Sequence, residues 1–373
     1  MKRVASASLS AIIATACASP PPGQSLATGS AEGPTGTGQI AAVVVHASSV
    51  PAEHRYVALS DGQRGRVLLV DLATGTLTEV VAARGSPGKP YYTPLFSESA
   101  DGKRLLLAAV GPAARSALYL IDVVAGRTTL LYEDDKILAI GPLHGVISPD
   151  GARYAFHGHD GVRVGDTTGG TTRLFVEDED PADMAKIWYP LAWSVDRSAI
   201  VLAQGTDTAT RLGVFRASDG EMVWDGVGSQ VSWRAKSPRL AVTGAGGTFS
   251  GENRVYVVEP NNGQVRDLEP LAAKYFGSIA WHPSADRVLY TTADDPFAEA
   301  DAFTRSLVDD APKRVEAPKK IWDAWWSSDG SRVYAIVARG TGTGARGVGD
   351  LDILELPGGR VVASICGTGG LCR

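Results

Sequence analysis

The sequence contains one cluster of histidines with the residue types and spacing of a metal site. His157, His159 and Asp160 lie close together in the chain. Alternate side chains of a β-strand share a face, so the two imidazoles would lie side by side, as a metal ion requires. Asp160 and the glycine after it are also typical of a hairpin turn. We therefore expect a hairpin here, with a divalent metal as the alternative, and no other cofactor.

The N-terminus has the pattern of an export signal that ends in a lipid-attachment site. Two basic residues precede the apolar stretch 4–16, and Ala14-Thr15-Ala16-Cys17 resembles a bacterial lipobox, whose cysteine becomes the acylated N-terminus. Cleavage without acylation, leaving a soluble exported protein, is the alternative. Residues 18–39 are rich in Pro, Gly, Ser and Thr and are typical of a flexible tether. We predict a signal peptide over residues 1–17 with a lipid on Cys17.

Two cysteines remain at the C-terminus. Cys366 and Cys372 are separated by a glycine-rich segment that permits tight closure. Disulfides persist in exported proteins, so we expect a disulfide between them, with a redox or metal pair as the alternative.

Two other segments match known site patterns in part. Residues 342–347 fit G-x-G-x-x-G, but no helix is predicted after them to bind a pyrophosphate, so a loop is expected. Glu177-Asp178-Glu179-Asp180 lacks the spacing of a calcium-binding loop, and we interpret it as a solvated connection. The formal net charge of −5 argues against nucleic acid as a partner, because binding phosphates requires clustered Lys and Arg.

These candidates are set in a repeat. An apolar strand that ends in a bulky residue recurs at roughly 40 to 51 residues, the period of a four-stranded propeller blade. The bulky residues are Phe96, Ile147, Trp193, Trp233, Trp281 and Trp326. A turn and further apolar strands follow each one, and radial packing of such units buries their faces.

The repeat predicts an all-β fold. We expect a β-propeller of four-stranded antiparallel blades over residues 40–366, followed by a C-terminal tail over 367–373. Seven blades are predicted, the additional one beginning with a first strand over residues 40–45. Because that strand lacks the aromatic residue and turn of the others, six blades with an irregular closure are the alternative.

The repeat resembles a known family. Ser148-Pro149-Asp150-Gly151 and the strand Leu118-Tyr119-Leu120-Ile121-Asp122 are similar to the TolB-type (WD40-like, PD40) propeller repeat, over nearly all of residues 50–365. The resemblance implies a propeller that serves as a binding scaffold or as the companion of a peptidase domain. By analogy with bacterial lipoproteins, Ala18 after the cysteine implies the outer membrane, facing the periplasm or the cell surface.

Aromatic residues outside the repeat are the candidates for a binding face. The tryptophans at the repeated position are expected to pack between blades. Tyrosine and tryptophan elsewhere are enriched in binding hot spots. The candidates lie just before predicted first strands: Tyr91, Tyr92, Trp188, Tyr189, Tyr275 and Trp322.

Loop length suggests where such a face lies. The longer segments join second to third strands or one blade to the next, which places them at one end of the blades. We therefore predict a non-enzymatic scaffold that binds an envelope or surface protein through its long loops and contacts the membrane only through its lipid. The alternative is a propeller-type enzyme (a lyase, lactonase or hydrolase) with its site in the channel mouth.

Overall fold

The computed structural model describes most of the chain from the second predicted blade onward and parts of the first. The described residues are 41–43, 56–61, 66–71, 76–80, 95–110, 116–122, 125, 127–134, 144–206, 209–235, 237–245, 253–268, 275–294, 299–308, 311–321, 323–327, 329–339, 350–366 and 370–371. No helix among them is long and apolar enough to cross a membrane.

Seven antiparallel sheets follow one another along the described chain. The first contains β1 (Ala41–Val43), β2 (Tyr56–Asp61), β3 (Arg66–Asp71) and β4 (Thr76–Val80). The second contains β5 (Leu95–Glu98), β6 (Arg104–Val110), β7 (Ser116–Asp122) and β8 (Arg127–Asp134). The third contains β9 (Gly145–Ile147), β10 (Arg153–Gly158), β11 (Gly161–Asp166) and β12 (Arg173–Glu177), and a short 3-10 helix, Met184–Lys186, follows it.

The remaining sheets complete the series. The fourth contains β13 (Trp188–Trp193), β14 (Ala199–Thr206), β15 (Ala209–Arg216) and β16 (Met222–Val227). The fifth contains β17 (Gln230–Trp233), β18 (Leu240–Ala245), β19 (Asn253–Glu259) and β20 (Gln264–Asp267). The sixth contains β21 (Tyr275–Trp281), β22 (Arg287–Ala293), β23 (Asp301–Ser306) and β24 (Lys313–Arg314). The seventh contains β25 (Asp323–Trp326), β26 (Val333–Arg339), β27 (Asp350–Leu356), β28 (Arg360–Cys366) and β29 (Gly370–Leu371).

The first and last sheets depart from the predicted pattern at their edges. β1 was expected to be the first strand of its blade, but it pairs with β4, so the sheet runs β1-β4-β3-β2. This prediction is wrong because the open edge of β4 offers unpaired N–H and C=O groups to any antiparallel segment. At the other end of the chain, β29 pairs with β28, so the predicted C-terminal tail adds a fifth strand.

The core is divided among the junctions between neighbouring sheets. Separate apolar clusters lie between the second and third sheets and at every later junction up to the seventh. Trp193, Trp281 and Trp326 are each at most 7% exposed within these clusters, and Trp233 packs against another. Their predicted role in packing between blades is confirmed.

A repeated turn connects the first strand of a sheet to the second. In four sheets a serine hydroxyl donates to an aspartate two residues later, at 2.6–2.7 Å, and accepts the N–H five residues later, at 2.9–3.1 Å. The serines are Ser99, Ser148, Ser194 and Ser327. The aspartate accepts a further backbone N–H, so the polar groups of the turn are satisfied locally.

These turns also connect neighbouring sheets. Asp150 accepts hydrogen bonds from Ser148, from Arg197 of the next sheet and from a backbone N–H. Burial works against ionisation, but these bonds outweigh it and lower the pKa of Asp150 to about 2. The Trp193 indole donates to the Val146 carbonyl of the preceding sheet at 3.2 Å.

Candidate functional site

The two ends of the sheets differ in how the chain connects there. Antiparallel order places the turns between first and second strands and between third and fourth strands at one end, here called the short-turn end. The links between second and third strands, and from sheet to sheet, lie at the other, the long-loop end. One long connection at this end, residues 177–190 between the third and fourth sheets, has its backbone described throughout.

At that junction, three buried polar side chains lie at the long-loop end of an apolar core. They are His157, Gln204 and Asp178, here called the polar layer. Ala155 of β10 and Leu202 of β14 belong to the cluster between the two sheets. Two residues further along, His157 and Gln204 have the same strand phase and therefore face the same junction. Both side chains are buried, with 2% and 5% of the residue exposed. Polar groups this deeply buried require hydrogen-bond partners.

Asp178 supplies two of those hydrogen bonds. Its Oδ2 lies 3.0 Å from Nε2 of His157, and its Oδ1 accepts the N–H of Trp188 at 2.9 Å. The side chains of Asp178 and His157 are 0% and 3% exposed. The backbone N–H of Asp178 also donates to the carbonyl of Asp160, at 3.2 Å. Asp178 thus joins β10 and the start of β13 through its carboxylate and the hairpin after β10 through its backbone N–H, which fixes both ends of the connection between the sheets.

Two atoms of the polar layer have no hydrogen-bond partner within the described residues. They are Nδ1 of His157 and Nε2 of Gln204. Nε2 of His157 lies against the carboxylate of Asp178 and therefore donates to it, while Nδ1 on the other side of the ring has no partner in this part of the chain. Gln204 Oε1 accepts from Arg211 at 3.4 Å, which leaves its NH₂ as a donor. The layer therefore contains two buried polar atoms, one on each side chain, that no described group of the protein satisfies.

The edge of this layer carries a pair of rings. The His144 ring, just before β9, contacts the ring of Tyr189 in β13, with centroids 4.7 Å apart. Burial lowers the pKa of His144 to about 4, and the nearby His157 adds to the effect. Burial also raises the pKa of Tyr189. Both side chains are therefore neutral near pH 7 and remain partly accessible, which suits hydrogen bonding and ring contact rather than charge recognition.

A second polar contact lies at the long-loop end between the sixth and seventh sheets. Asp323 begins β25, and its carboxylate accepts its neighbour's backbone N–H at 2.7 Å. Burial raises the pKa of Asp323, although hydrogen bonds from Ser278 and from the N–H of Ala324 oppose the shift. Ser278 lies 3.4 Å from the hydroxyl of Thr291. The arrangement holds hydroxyl and carboxyl groups together without a basic side chain among these contacts.

The geometry of His157, His159 and Asp160 does not support the alternative of a metal site. β10 ends at Gly158, so the alternation that would place His157 beside His159 does not continue. His157 points into the core, His159 is exposed in a two-residue turn, and Asp160 forms an ion pair with Arg163 at 2.6 Å. Among the residues described, no three His, Cys, Asp or Glu side chains are grouped to hold a metal ion. The hairpin expected from the sequence is what the structure contains, with Gly158 of β10 paired to Gly161 of β11.

The predicted aromatic face is only partly described. Trp188 is 4% exposed and lies in the apolar core, so it cannot serve as a surface contact. The ladder shifts register between Pro190 and Ala192, which reverses the strand phase and turns Trp188 towards the same side as Trp193. Tyr189 remains partly accessible. Tyr275 begins β21, but its side chain is not described, and Tyr91, Tyr92 and Trp322 lie outside the described residues.

Other predicted features also lie beyond the described part of the chain. They are the signal with Cys17, the tether, Cys372 and the loop over residues 342–347. Cys366 is the last residue of β28, and its disulfide with Cys372 stays a prediction.

Asp178 is the functional candidate that sequence reasoning missed. It was interpreted as one of four solvated acidic residues, and it is buried. The sequence does contain a signal for this role. Alternation along β10 places His157 on an apolar face, and a buried imidazole requires a hydrogen-bond partner near the end of that hairpin.

Comparisons with known proteins identify the architecture. No family model and no curated protein matches the chain. The β-propeller domain of Cps50 (Swd1) from Myceliophteria thermophila is 16% identical, with 87% of this chain and 100% of that chain covered and a TM-score of 0.55. An oligogalacturonate lyase from Vibrio parahaemolyticus is 12% identical, with 88% and 86% covered and a TM-score of 0.53. A putative TolB from Agrobacterium tumefaciens is 19% identical, with 61% and 81% covered and a TM-score of 0.43. At these identities the likeness concerns the fold alone, and the predicted all-β propeller is confirmed.

Proposed function

We propose that the protein is a non-enzymatic binding scaffold that holds an envelope or surface protein at its long-loop end. The observation that carries this proposal is the contrast between the two ends of the sheets. At the short-turn end, serine and aspartate side chains satisfy the turns that contain them. At the long-loop end, the longer connection over residues 177–190 joins two sheets, and the buried carboxylate of Asp178 fixes it through His157 and Trp188. Rigid sheets that present longer connections commonly carry binding sites there.

The proposal includes export and a lipid anchor on Cys17. The anchor accounts for a signal-like segment that ends in a cysteine and continues into the Pro- and Gly-rich residues 18–39. A flexible tether of this length has a root-mean-square reach of roughly 25 Å, enough to hold a domain clear of the headgroups. The outer membrane, facing the periplasm or the cell surface, is the proposed location.

Two exposed residues on opposite ends provide a matched test of the binding face. Glu179 lies in the connection between the third and fourth sheets, and Asn261 lies in the turn between β19 and β20 at the short-turn end. The native protein is captured from gently solubilised envelopes, and associated proteins are identified by mass spectrometry. We expect a stoichiometric protein that Glu179→Arg removes and Asn261→Arg leaves bound.

The other outcomes contradict parts of the proposal. Loss of the partner with Asn261→Arg alone would move the binding face to the short-turn end. A small molecule or metal that stays bound in native mass spectra, with no protein partner, would favour the enzyme alternative.

The anchor has its own test. Cys17→Ser should move the protein from the membrane to the soluble fraction, and a variant that stays with the membrane would refute lipid attachment at this residue.

A further inference from the structure

One junction between sheets uses an imidazole where others use a hydroxyl. His282 occupies, in the sixth sheet, the position that Ser327 occupies in the seventh. In both turns the backbone N–H of this residue donates to the carbonyl five residues later, at 2.8 and 2.9 Å. The two turns therefore have the same length and differ in the side chain that organises them.

Each nitrogen of His282 has a defined role. Nδ1 accepts the backbone N–H groups of Ser284 and Ala285 at 3.1 and 3.0 Å. Because Nδ1 accepts, it carries no proton, and Nε2–H is the donor to the carbonyl of Gly330 at 3.0 Å. Gly330 belongs to the first turn of the seventh sheet, so the ring organises its own turn and joins it to the next one.

The ring is enclosed by the same neighbouring sheet. It contacts Trp326 edge-on, with centroids 4.7 Å apart. A Cβ on Gly330 would lie 2.2 Å from the His282 ring, so a larger residue would displace it. The indole of Trp326 in turn donates to the carbonyl of Ala280, at 3.3 Å. Loss of the imidazole geometry would thus affect the junction itself as well as the turn.

We propose that the junction between the sixth and seventh sheets is an acid-sensitive joint, which protonation of His282 loosens while the serine-based turns hold. A proton on Nδ1 converts an acceptor of two hydrogen bonds into a donor that faces two N–H groups. The serine turns have no group that titrates between pH 5 and 7, because a hydroxyl keeps both roles across that range.

The charges around the ring agree with this direction. Burial lowers the pKa of His282, the hydrogen bond to Gly330 raises it, Arg287 lowers it and Asp329 raises it, with a net lowering. Trp326 and Gly330, which also contact the ring, are uncharged. A lowered pKa means that the unfolded chain takes up the proton first. The stability from this joint is therefore complete above about pH 6.5 and is lost as the pH falls below it.

The test compares the native turn with a serine-based one. His282→Ser combined with Ser284→Asp rebuilds the serine and aspartate spacing of the four other turns. Hydrogen exchange measured from pH 7.5 to 5 gives the opening equilibrium of β21 and β25. In the native protein we expect opening to increase below about pH 6.5, by at most about tenfold per pH unit because one proton is bound. The double variant should lose this dependence.

Two results would overturn the proposal. One is the same pH dependence at β21 and β25 in both proteins. The other is an NMR titration of His282 in the native protein with a pKa at or above 6.5, which decides the question even if the double variant does not fold. Opening confined to the third and fourth sheets would assign acid sensitivity to His144 instead.

Discussion

Replacing Asp178 with alanine should destabilise the protein far more than the same substitution at the exposed acidic residues beside it. The substitution removes the acceptor for Nε2–H of His157 and for the N–H of Trp188, at 3.0 and 2.9 Å. Both donors are then buried without a partner. Leaving a buried donor unsatisfied costs about 1–3 kcal/mol, so the loss of both acceptors is expected to cost roughly 2–6 kcal/mol, a large share of the roughly 5–15 kcal/mol that stabilises a typical domain.

Two further variants separate the contribution of the hydrogen bonds of Asp178 from the contribution of its charge. Asp178→Asn keeps one carbonyl acceptor, and we expect it to cost about 1–3 kcal/mol because one buried donor stays unsatisfied. Asp180→Ala removes a carboxylate in the same connection that is 46% exposed and lies 3.8 Å from Lys186. This control should change the free energy of unfolding by less than about 1 kcal/mol.

Urea denaturation followed by tryptophan fluorescence measures all three proteins. The expected order of destabilisation is Asp178→Ala, then Asp178→Asn, then Asp180→Ala. A loss within about 1 kcal/mol for Asp178→Ala would refute the assignment of Asp178 as the residue that fixes this connection.

Three further predictions concern the short-turn end and the packing between sheets. Gly151→Ala should cost more than Gly263→Ala in urea denaturation. The two glycines have nearly the same positive φ, +69° and +68°, but only at Gly151 would the new Cβ crowd an arginine, at 2.8 Å, so equal losses would contradict this. Because the pKa of Asp150 is depressed to about 2, its stabilising contribution is complete above about pH 4 and is lost as the pH falls through 2. Asp150→Asn should flatten the stability curve over that range, and an unchanged curve would argue against the depressed pKa. Trp193→Phe should lower the free energy of unfolding by about 1 kcal/mol more than Trp281→Phe, because the Trp193 indole N–H has an acceptor and the Trp281 indole N–H has none among the described residues. Thermal unfolding measures both variants, and the reverse order would contradict the stabilising role of the Trp193 hydrogen bond.

The sequence predicted the blades well because each blade repeats a local rule. The apolar anchors and the Ser-x-Asp turns both depend on contacts within a few residues, so the pattern is visible without tertiary information. The tryptophans Trp193, Trp281 and Trp326 are buried between sheets as their spacing indicated. β1 broke the rule because edge pairing depends on which strand edge is open, and a single segment does not encode that.

The site was harder to predict for physical reasons that individual residues illustrate. Trp188 was assigned to the surface because the register shift that turns it inward arises from pairing with β14, which is a non-local property. Asp178 was assigned to solvent because its neighbours in the chain are exposed, whereas its partner His157 lies 21 residues away in sequence. Alternation also failed for His159, because the strand ended one residue too early for the two histidines to share a face.

The chain-order packing of the sheets has a consequence for how the molecule responds to damage. Among the residues that the structure describes from the second sheet to the seventh, the main packing of each sheet is on the sheets before and after it in the chain. Cooperativity in such an array is a nearest-neighbour property, close to a one-dimensional chain of coupled units. A lesion in one sheet then weakens two couplings directly and reaches distant sheets only through the units between them. Partial unfolding is expected to spread stepwise from the weakest coupling, so stability in this protein is a profile along the chain rather than a single number.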